Sequence, residues 1–312
     1  MIAAELLERV EAGGLLVGPE PLLVMLSGGR DSVCLLDLAV RARGPEAVGA
    51  LHLNYGLREE ADEDERFCAQ LCERLWVALE VERPQRPEGA GNLQAWAREV
   101  RYGAAARLAE PREATILAGH TADDQIETIL YRLASSPSRR ALLGMRPRDG
   151  CLARPLLGTT REETTAYCEQ RGLAWRDDAS NEGDAYARNR IRRGLIPELE
   201  KVHPAAKENV LRTAALLREE AELLDSLVDA ELAGGEGVAP GTISHSRFAE
   251  LHPALRRLVI QRLADEAARR PVAGAARFAD QVASLSRGGS TLDLGGGVRA
   301  VLEAGTLRAE SS

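Results

Sequence analysis

The segment SGGRDS, from Ser27 to Ser32, places two glycines, two hydroxyls and a carboxylate directly after the apolar run LLVML and directly before a helical pattern. In such a setting backbone N–H groups converge on phosphate, because the first amides of a helix lack intrahelical partners and share its positive end. Gly28 and Gly29 permit close approach of the chain, Ser27 and Ser32 add hydroxyl donors, and Arg30 adds a cation. Asp31 is suited either to capping the helix or to holding a metal that neutralises phosphate charge. No lysine follows the glycines, so this is not the common P-loop. The competing account is an ordinary glycine turn capped by Asp and Ser, and the complete strand, SGGRDS, helix unit favours phosphate.

Three further segments carry chemistry. In HTADDQIET, His120 and the acids Asp123, Asp124 and Glu127 follow an apolar strand and enter a helix, on adjoining faces of its first turns. Acids there can simply cap the helix, or with the histidine they can hold magnesium or an ammonium group. In RDDASNEGDAYARNRIRR, Arg188 and Arg192 lie one helical turn apart with Asn189 beside them. That is either a fork for a phosphate or carboxylate, or a solvated helix face. In NLQAWAREVRYG, Arg98, Arg101 and Tyr102 share one helical face, able to contact a nucleotide and stack on a base, or merely amphipathic. His52 and Asn54 alternate on the strand of LHLNYGLR, where a core histidine is the default.

The SGGxDS loop resembles that of the PP-loop ATP pyrophosphatases, which implies that it grips the pyrophosphate of ATP while the alpha phosphorus is attacked and AMP is transferred. Within that superfamily HxxDDQxET, the DxSNxxxxxxRNxIR pattern and NLQAWAREVRYG with Leu51–Arg58 resemble the tRNA(Ile)-lysidine synthetase family, short form, over about residues 21 to 200. The middle pattern is matched by Asp178, Ser180, Asn181, Arg188, Asn189, Ile191 and Arg192. The resemblance implies ATP-dependent ligation of free L-lysine to C2 of the wobble cytidine in the CAU anticodon of tRNA(Ile), through an adenylated intermediate. It implies ATP contacts at Ser27, Gly28, Gly29, Arg30, Asp31, Ser32, His52, Asn54 and Arg98, and catalysis by Asp31, His120, Asp123, Asp124 and Arg188. Substrate contacts fall on Arg101, Tyr102, Glu127, Asn189 and Arg192, and Mg2+ on Asp31 with Asp123, Asp124 being the alternative to the latter. The chain departs from the family after Arg132, where Ser135, Ser136 and Pro137 replace the usual glycines, so the local loop geometry should differ. The rival expectations are a PP-loop tRNA thiolase and a non-catalytic adenine-nucleotide-binding protein. Cys34, Cys68, Cys72, Cys151 and Cys168 are odd in number and form no CxxC pair, which disfavours the thiolase.

The elements that must position these residues alternate. Runs LLVML, VGALHLN, VALEVER, TILAGH and CLARPLL read as strands and the segments between as helices, giving an α/β parallel sheet with helices on both faces. Ligands then bind at the carboxyl ends of the strands. Thr160, Glu163 and Gly172 bound a further helix, and a long helix covers about 204 to 233. We expect a PP-loop catalytic domain over 1–203, that connecting helix over 204–233, and a small C-terminal tRNA-docking domain over 234–312 after the linker AGGEGVAPG. This last part should hold a helix from Ser246 to Arg269, carrying Arg256, Arg257, Arg262, Arg269 and Arg270 towards phosphate, and two or three antiparallel strands.

With 312 residues, 45% hydrophobic and 28% charged, the chain is neither disordered nor membrane-spanning in pattern, and a cytoplasmic address with a homodimer as candidate assembly is expected. Net charge is -8, which excludes a uniformly basic coat, yet residues 131–193 carry 13 basic against 8 acidic side chains.

Overall fold

The computed structural model describes residues 2–57, 60–87, 91–136, 139–176, 187–234, 239–285 and 289–311. Arg58, Pro137, Asp178, Ser180, Asn181 and the linker residues 235–238 lie outside these ranges. Two compact units divide the chain, Met1–Ala214 and Ala215–Ser312.

The first unit opens with α1 (Ile2–Ala12), then alternates β1 (Leu22–Met25), α2 (Arg30–Arg43), β2 (Val48–Leu53), α3 (Ala61–Leu75), β3 (Ala78–Glu82), α4 (Leu93–Ala109), β4 (Thr115–Leu117) and α5 (Ala122–Ser135). A hairpin of β5 (Arg148–Asp149) and β6 (Leu152–Ala153) precedes α6 (Arg161–Arg171), α7 (Ala187–Arg190) and α8 (Ile196–Val202). The strand order is β3-β2-β1-β4-β6-β5, parallel except for β5, which runs antiparallel to β6. Four consecutive apolar residues make β1 the buried centre, as a strand covered on both faces requires. One face packs α1, α2 and α6 around Val24, Leu35, Leu36, Leu38 and Tyr167, and the other packs α4 against Leu23, Met25, Leu51 and Leu53. The apolar run from Val33 to Leu36 is therefore buried.

Helix ends follow local chemistry. Thr121 caps α5 in a box with Asp124, and Thr160 caps α6 in a box with Glu163; α6 ends at the left-handed Gly172, as the spacing predicts. CLARPLL departs from expectation, since only Leu152 and Ala153 pair and Arg154 already lies beyond the strand. Pro155 cannot donate to a ladder, which ends the pairing.

The long helix α9 (Ala206–Leu232) runs from the first unit into the second. There β7 (Ile243–Ser244), α10 (His245–Glu250), α11 (Pro253–Ala268), α12 (Ala279–Ala283), β8 (Ser290–Gly295), β9 (Val298–Glu303) and β10 (Thr306–Ser311) follow. Their sheet has the order β7-β10-β9-β8 and is antiparallel. The expected single helix from Ser246 to Arg269 is two, because His252 takes an extended N-cap conformation, its Nδ1 accepts the Ala254 N–H, and Pro253 starts α11.

Candidate active site

Ser27–Ser32 turns from β1 into α2 with Gly29 as its N-cap. Gly28 holds φ +84, and a Cβ there would lie 3.3 Å from the Cys68 sulfur. The Ser32 hydroxyl accepts the Ser27 N–H at 3.2 Å and donates to the Gly29 carbonyl at 2.8 Å, which ties the loop to itself. The amides of Arg30 and Asp31 stand at the helix start, where no intrahelical carbonyl reaches them. Asp31 does not cap α2; its Oδ1 accepts from the Thr164 hydroxyl at 2.6 Å and from Arg30 Nε at 3.1 Å.

A cavity of about 730 Å³ opens over this loop at the carboxyl edge of the sheet. Ser27, Gly29, Arg30, Asp31 and Ser32 line it together with Arg101, Tyr102, His120, Asp124 and Arg192. Arg161, Arg176, Arg193, Tyr55 and Gly119 also line it and were not singled out from sequence. Arg161 and Arg176 are far in sequence from the loop they adjoin, and only the basic bias of residues 131–193 hinted at them. Six arginines face two carboxylates, so the lining favours anions.

The acids of α5 are held by arginine. Asp124 shares its Oδ2 with the Thr121 cap, and its Oδ1 takes Arg161 at 2.6 Å. The buried Glu127 pairs with Arg161 at 3.0 Å and Arg192 at 2.7 Å. Asp123 leaves the cavity lining: its Oδ2 accepts the Arg161 backbone N–H at 2.9 Å, and Lys207 stands 4.0 Å from its Oδ1. Of the two acids expected beside Asp31, Asp124 lines the cavity and Asp123 does not.

Arg188 and Arg192 do not form the expected fork. Arg188 lies in α7 and Arg192 inside a π-turn over Ile191–Leu195, with Arg192 on Glu127 and Arg188 exposed, while Asn189 is buried. Asn54 is likewise displaced, because Asp62 and Glu65 accept its amide hydrogens at 2.9 Å each and its Oδ1 accepts the Gly56 N–H. It shapes the start of α3. His52 is buried with Nδ1 donating to the Leu26 carbonyl at 2.9 Å, so it props the strand leading into the loop without lining the cavity. Arg98 stands 4.7 Å over the Tyr102 ring and also lies outside the lining.

His120 is pushed down to about 4 by burial first, with Arg154, Arg101 and Arg98 adding to the shift and Asp124 opposing it. Its ring is neutral near pH 7, and its buried Nδ1 has no hydrogen-bond partner. Arg132 donates to the Gly144 carbonyl at 2.7 Å, while Gln125 exchanges two hydrogen bonds with the Met145 backbone. The segment after the altered Ser135–Pro137 stretch is therefore clamped onto α5.

Residues 3–199 match the PP-loop domain family. The chain is 38% identical to a tRNA(Ile)-lysidine synthase of Thermus thermophilus over 294 residues, covering 92% of this chain and 56% of the relative. It is 34% identical to the tRNA(Ile)-lysidine synthase of Bacteroides thetaiotaomicron over 235 residues, covering 73% and 55%. The chain spans about half the length of the curated relatives it matches. Among solved structures, the U34-tRNA thiolase NcsA from Methanococcus maripaludis with its [4Fe-4S] cluster aligns at a TM-score of 0.59 and 18% identity, over 70% of this chain and 79% of that one. That likeness concerns the fold.

Proposed function

The chain belongs to the PP-loop domain family, and from that premise we propose that it acts as an ATP-dependent tRNA(Ile)-lysidine synthase. Free L-lysine would be joined to C2 of the wobble cytidine in a CAU anticodon. The observation that carries this reading is the arginine-lined cavity over SGGRDS, in a chain whose lysidine synthase relative aligns along 92% of it.

In the first step the C2 oxygen attacks the alpha phosphorus, an O–P bond forms and pyrophosphate leaves. The amides of Arg30 and Asp31 and the Ser27 hydroxyl meet the charge on the departing group, with Arg30 and Arg176 beside them. In the second step the neutral lysine amine attacks C2, the C–O bond breaks, AMP leaves and the nitrogen loses its proton. His120 lines that cavity with a neutral ring, and a group held near 4 is a weak base that serves to orient more than to deprotonate.

Magnesium fits the donor set. Asp31 lines the cavity and among the described residues its Oδ2 takes no hydrogen bond, whereas both oxygens of Asp124 are held by Thr121 and Arg161, so Asp31 would be the ligand. One or two carboxylates with substrate phosphates are the usual protein share of such a site. The ion would shield phosphate charge there, and Thr164 would orient Asp31 towards it.

The test incubates the protein with labelled lysine, ATP and a tRNA(Ile) transcript bearing CAU. Acid-precipitable lysine with matching AMP release is expected; ATP binding without incorporation would make the chain a nucleotide-binding protein and overturn the reading, as would sulfur transfer.

A further inference from the structure

Five arginines lie near His120, whose one acidic neighbour in that group is Asp124. Arg154 follows β6 at the carboxyl edge of the sheet, Arg98 and Arg101 come from α4, Arg132 from α5 and Arg188 from α7. Their proximity is electrostatic as well as topological. Arg132 is depressed by burial and then by Arg188, Arg98 and Arg154, and three of the same five press on His120.

Among the described residues none of the five forms an ion pair, in contrast to Arg161, Arg176 and Arg192, each of which rests on an acid. Arg154 is 5% exposed, gives one N–H to the Arg146 carbonyl at 2.6 Å, and leaves its buried Nε without a partner. Arg101 Nε and the Tyr102 hydroxyl are also buried and unpartnered. Buried cations and orphaned donors are costly unless an anion arrives to meet them.

The exposure is graded. Arg154 is buried, Arg101 and Arg132 are half-buried, and Arg98 and Arg188 are exposed. Such a track from interior to surface suits a linear polyanion better than a compact one, because successive charges of the ligand can each meet a guanidinium. The pyrophosphate loop has its own amides and its own arginines, Arg30 and Arg176, so this second set is not needed there.

We propose that Arg98, Arg101, Arg132, Arg154 and Arg188 form a phosphodiester subsite, separate from the pyrophosphate loop, which takes the RNA backbone beside the nucleotide being modified. It rests on the reading that the substrate is RNA. Arg132 and Arg154 anchor the inner phosphate while bracing the backbone at Gly144 and Arg146, and Arg98 and Arg188 receive the strand as it leaves.

The experiment uses the full chain and an anticodon stem-loop RNA carrying CAU. Arg98→Gln and Arg188→Gln, both at exposed positions, are compared with the parent by filter binding between about 50 and 200 mM KCl, and ATP affinity is measured by calorimetry. Each lost phosphate contact should flatten the log–log salt slope by roughly 0.7 to 0.9 and weaken RNA binding several-fold, with ATP affinity within about twofold. A stem-loop of unrelated sequence should lose the same slope. Unchanged slopes overturn the subsite, and a fall in ATP affinity with RNA binding intact assigns the arginines to the nucleotide instead. If the slopes fall but the parent incorporates no lysine, the ligase reading fails and the subsite stands; lysine incorporation with unchanged slopes removes only the subsite.

Discussion

At the residue scale, the site depends on a few polar groups whose partners are distant in sequence. Asp31 is oriented by Thr164 from another helix, at 2.6 Å. Asp31→Ala should slow AMP formation at least about a hundredfold, equivalent to about 3 kcal/mol of transition-state stabilisation. The check is AMP release at saturating ATP from protein shown to be folded by its melt; a rate within threefold of the parent would remove Asp31 from the chemistry. His120 supplies a pH dependence. Its folded value of about 4 lies below the usual 6.5, so between those limits the unfolded chain binds a proton that the folded one refuses. The stability from its neutral form is complete above pH 6.5 and is lost as pH falls towards 4, by up to about 3 kcal/mol. His120→Gln should therefore lose less melting temperature between pH 7 and 4.5 than the parent does. Equal losses in the two proteins would place the acid sensitivity elsewhere.

At the element scale, the loop is built where three segments approach with no room for side chains. Gly119, just beyond β4, abuts the first turn of α2: a Cβ there would sit 3.0 Å from the Asp31 carbonyl oxygen and 3.2 Å from the Ser32 nitrogen. Both neighbours are backbone, so the helix start must move. Gly119→Ala should cost about 1–3 kcal/mol and raise the KM for ATP, read from a denaturant titration and from ATP-dependent AMP release. A variant that melts with the parent and keeps its KM would show that the contact yields freely. The acids of α5 illustrate how local and tertiary roles merge. Asp124 closes a capping box, which sequence spacing allows, and also receives Arg161, which only the packing of α6 against α5 supplies.

At the scale of the whole molecule, the two units have separate apolar cores. Val228 and Leu232, in the last turns of α9, belong to the second core with Phe248, Ile260 and Leu294, whereas Val210 and Leu211 pack in the first unit. A division between Ala214 and Ala215 is thus better placed than one near Gly234, which would strip Val228 and Leu232 of their partners. The fragment 215–312 should fold and melt cooperatively, and a fragment beginning at Gly234 should not, as calorimetry will reveal. The expected phosphate-facing arginines of this unit are largely occupied. Arg256 pairs with Asp280, Arg262 with Asp229 at 2.5 Å and Asp225, and Arg270 donates to the Gly296 carbonyl. Arg257 and Arg269 are exposed and unpaired among the described residues. Removing the unit should consequently flatten the salt slope of tRNA binding by no more than about two contacts, roughly 1.8. A larger change would mean that RNA displaces those internal ion pairs.

The sequence by itself determined the alternating elements, the loop over Ser27–Ser32, the capping boxes and the family, because these rest on short-range spacing: hydrophobic period, turn residues and contiguous motifs. It also brought out Arg101, Tyr102, His120 and Asp124, which the fold gathers at one cavity. Only the tertiary structure decided that Asp123 and Asn54 turn to partners of their own, that Arg192 is spent on Glu127, and that Arg161, Thr164, Arg176 and Gly119 complete the site. Which oxygen meets which guanidinium depends on how segments tens of residues apart, and in the case of Arg176 and Asp64 112 apart, pack on one sheet, and side-chain identity along the chain carries no record of that packing.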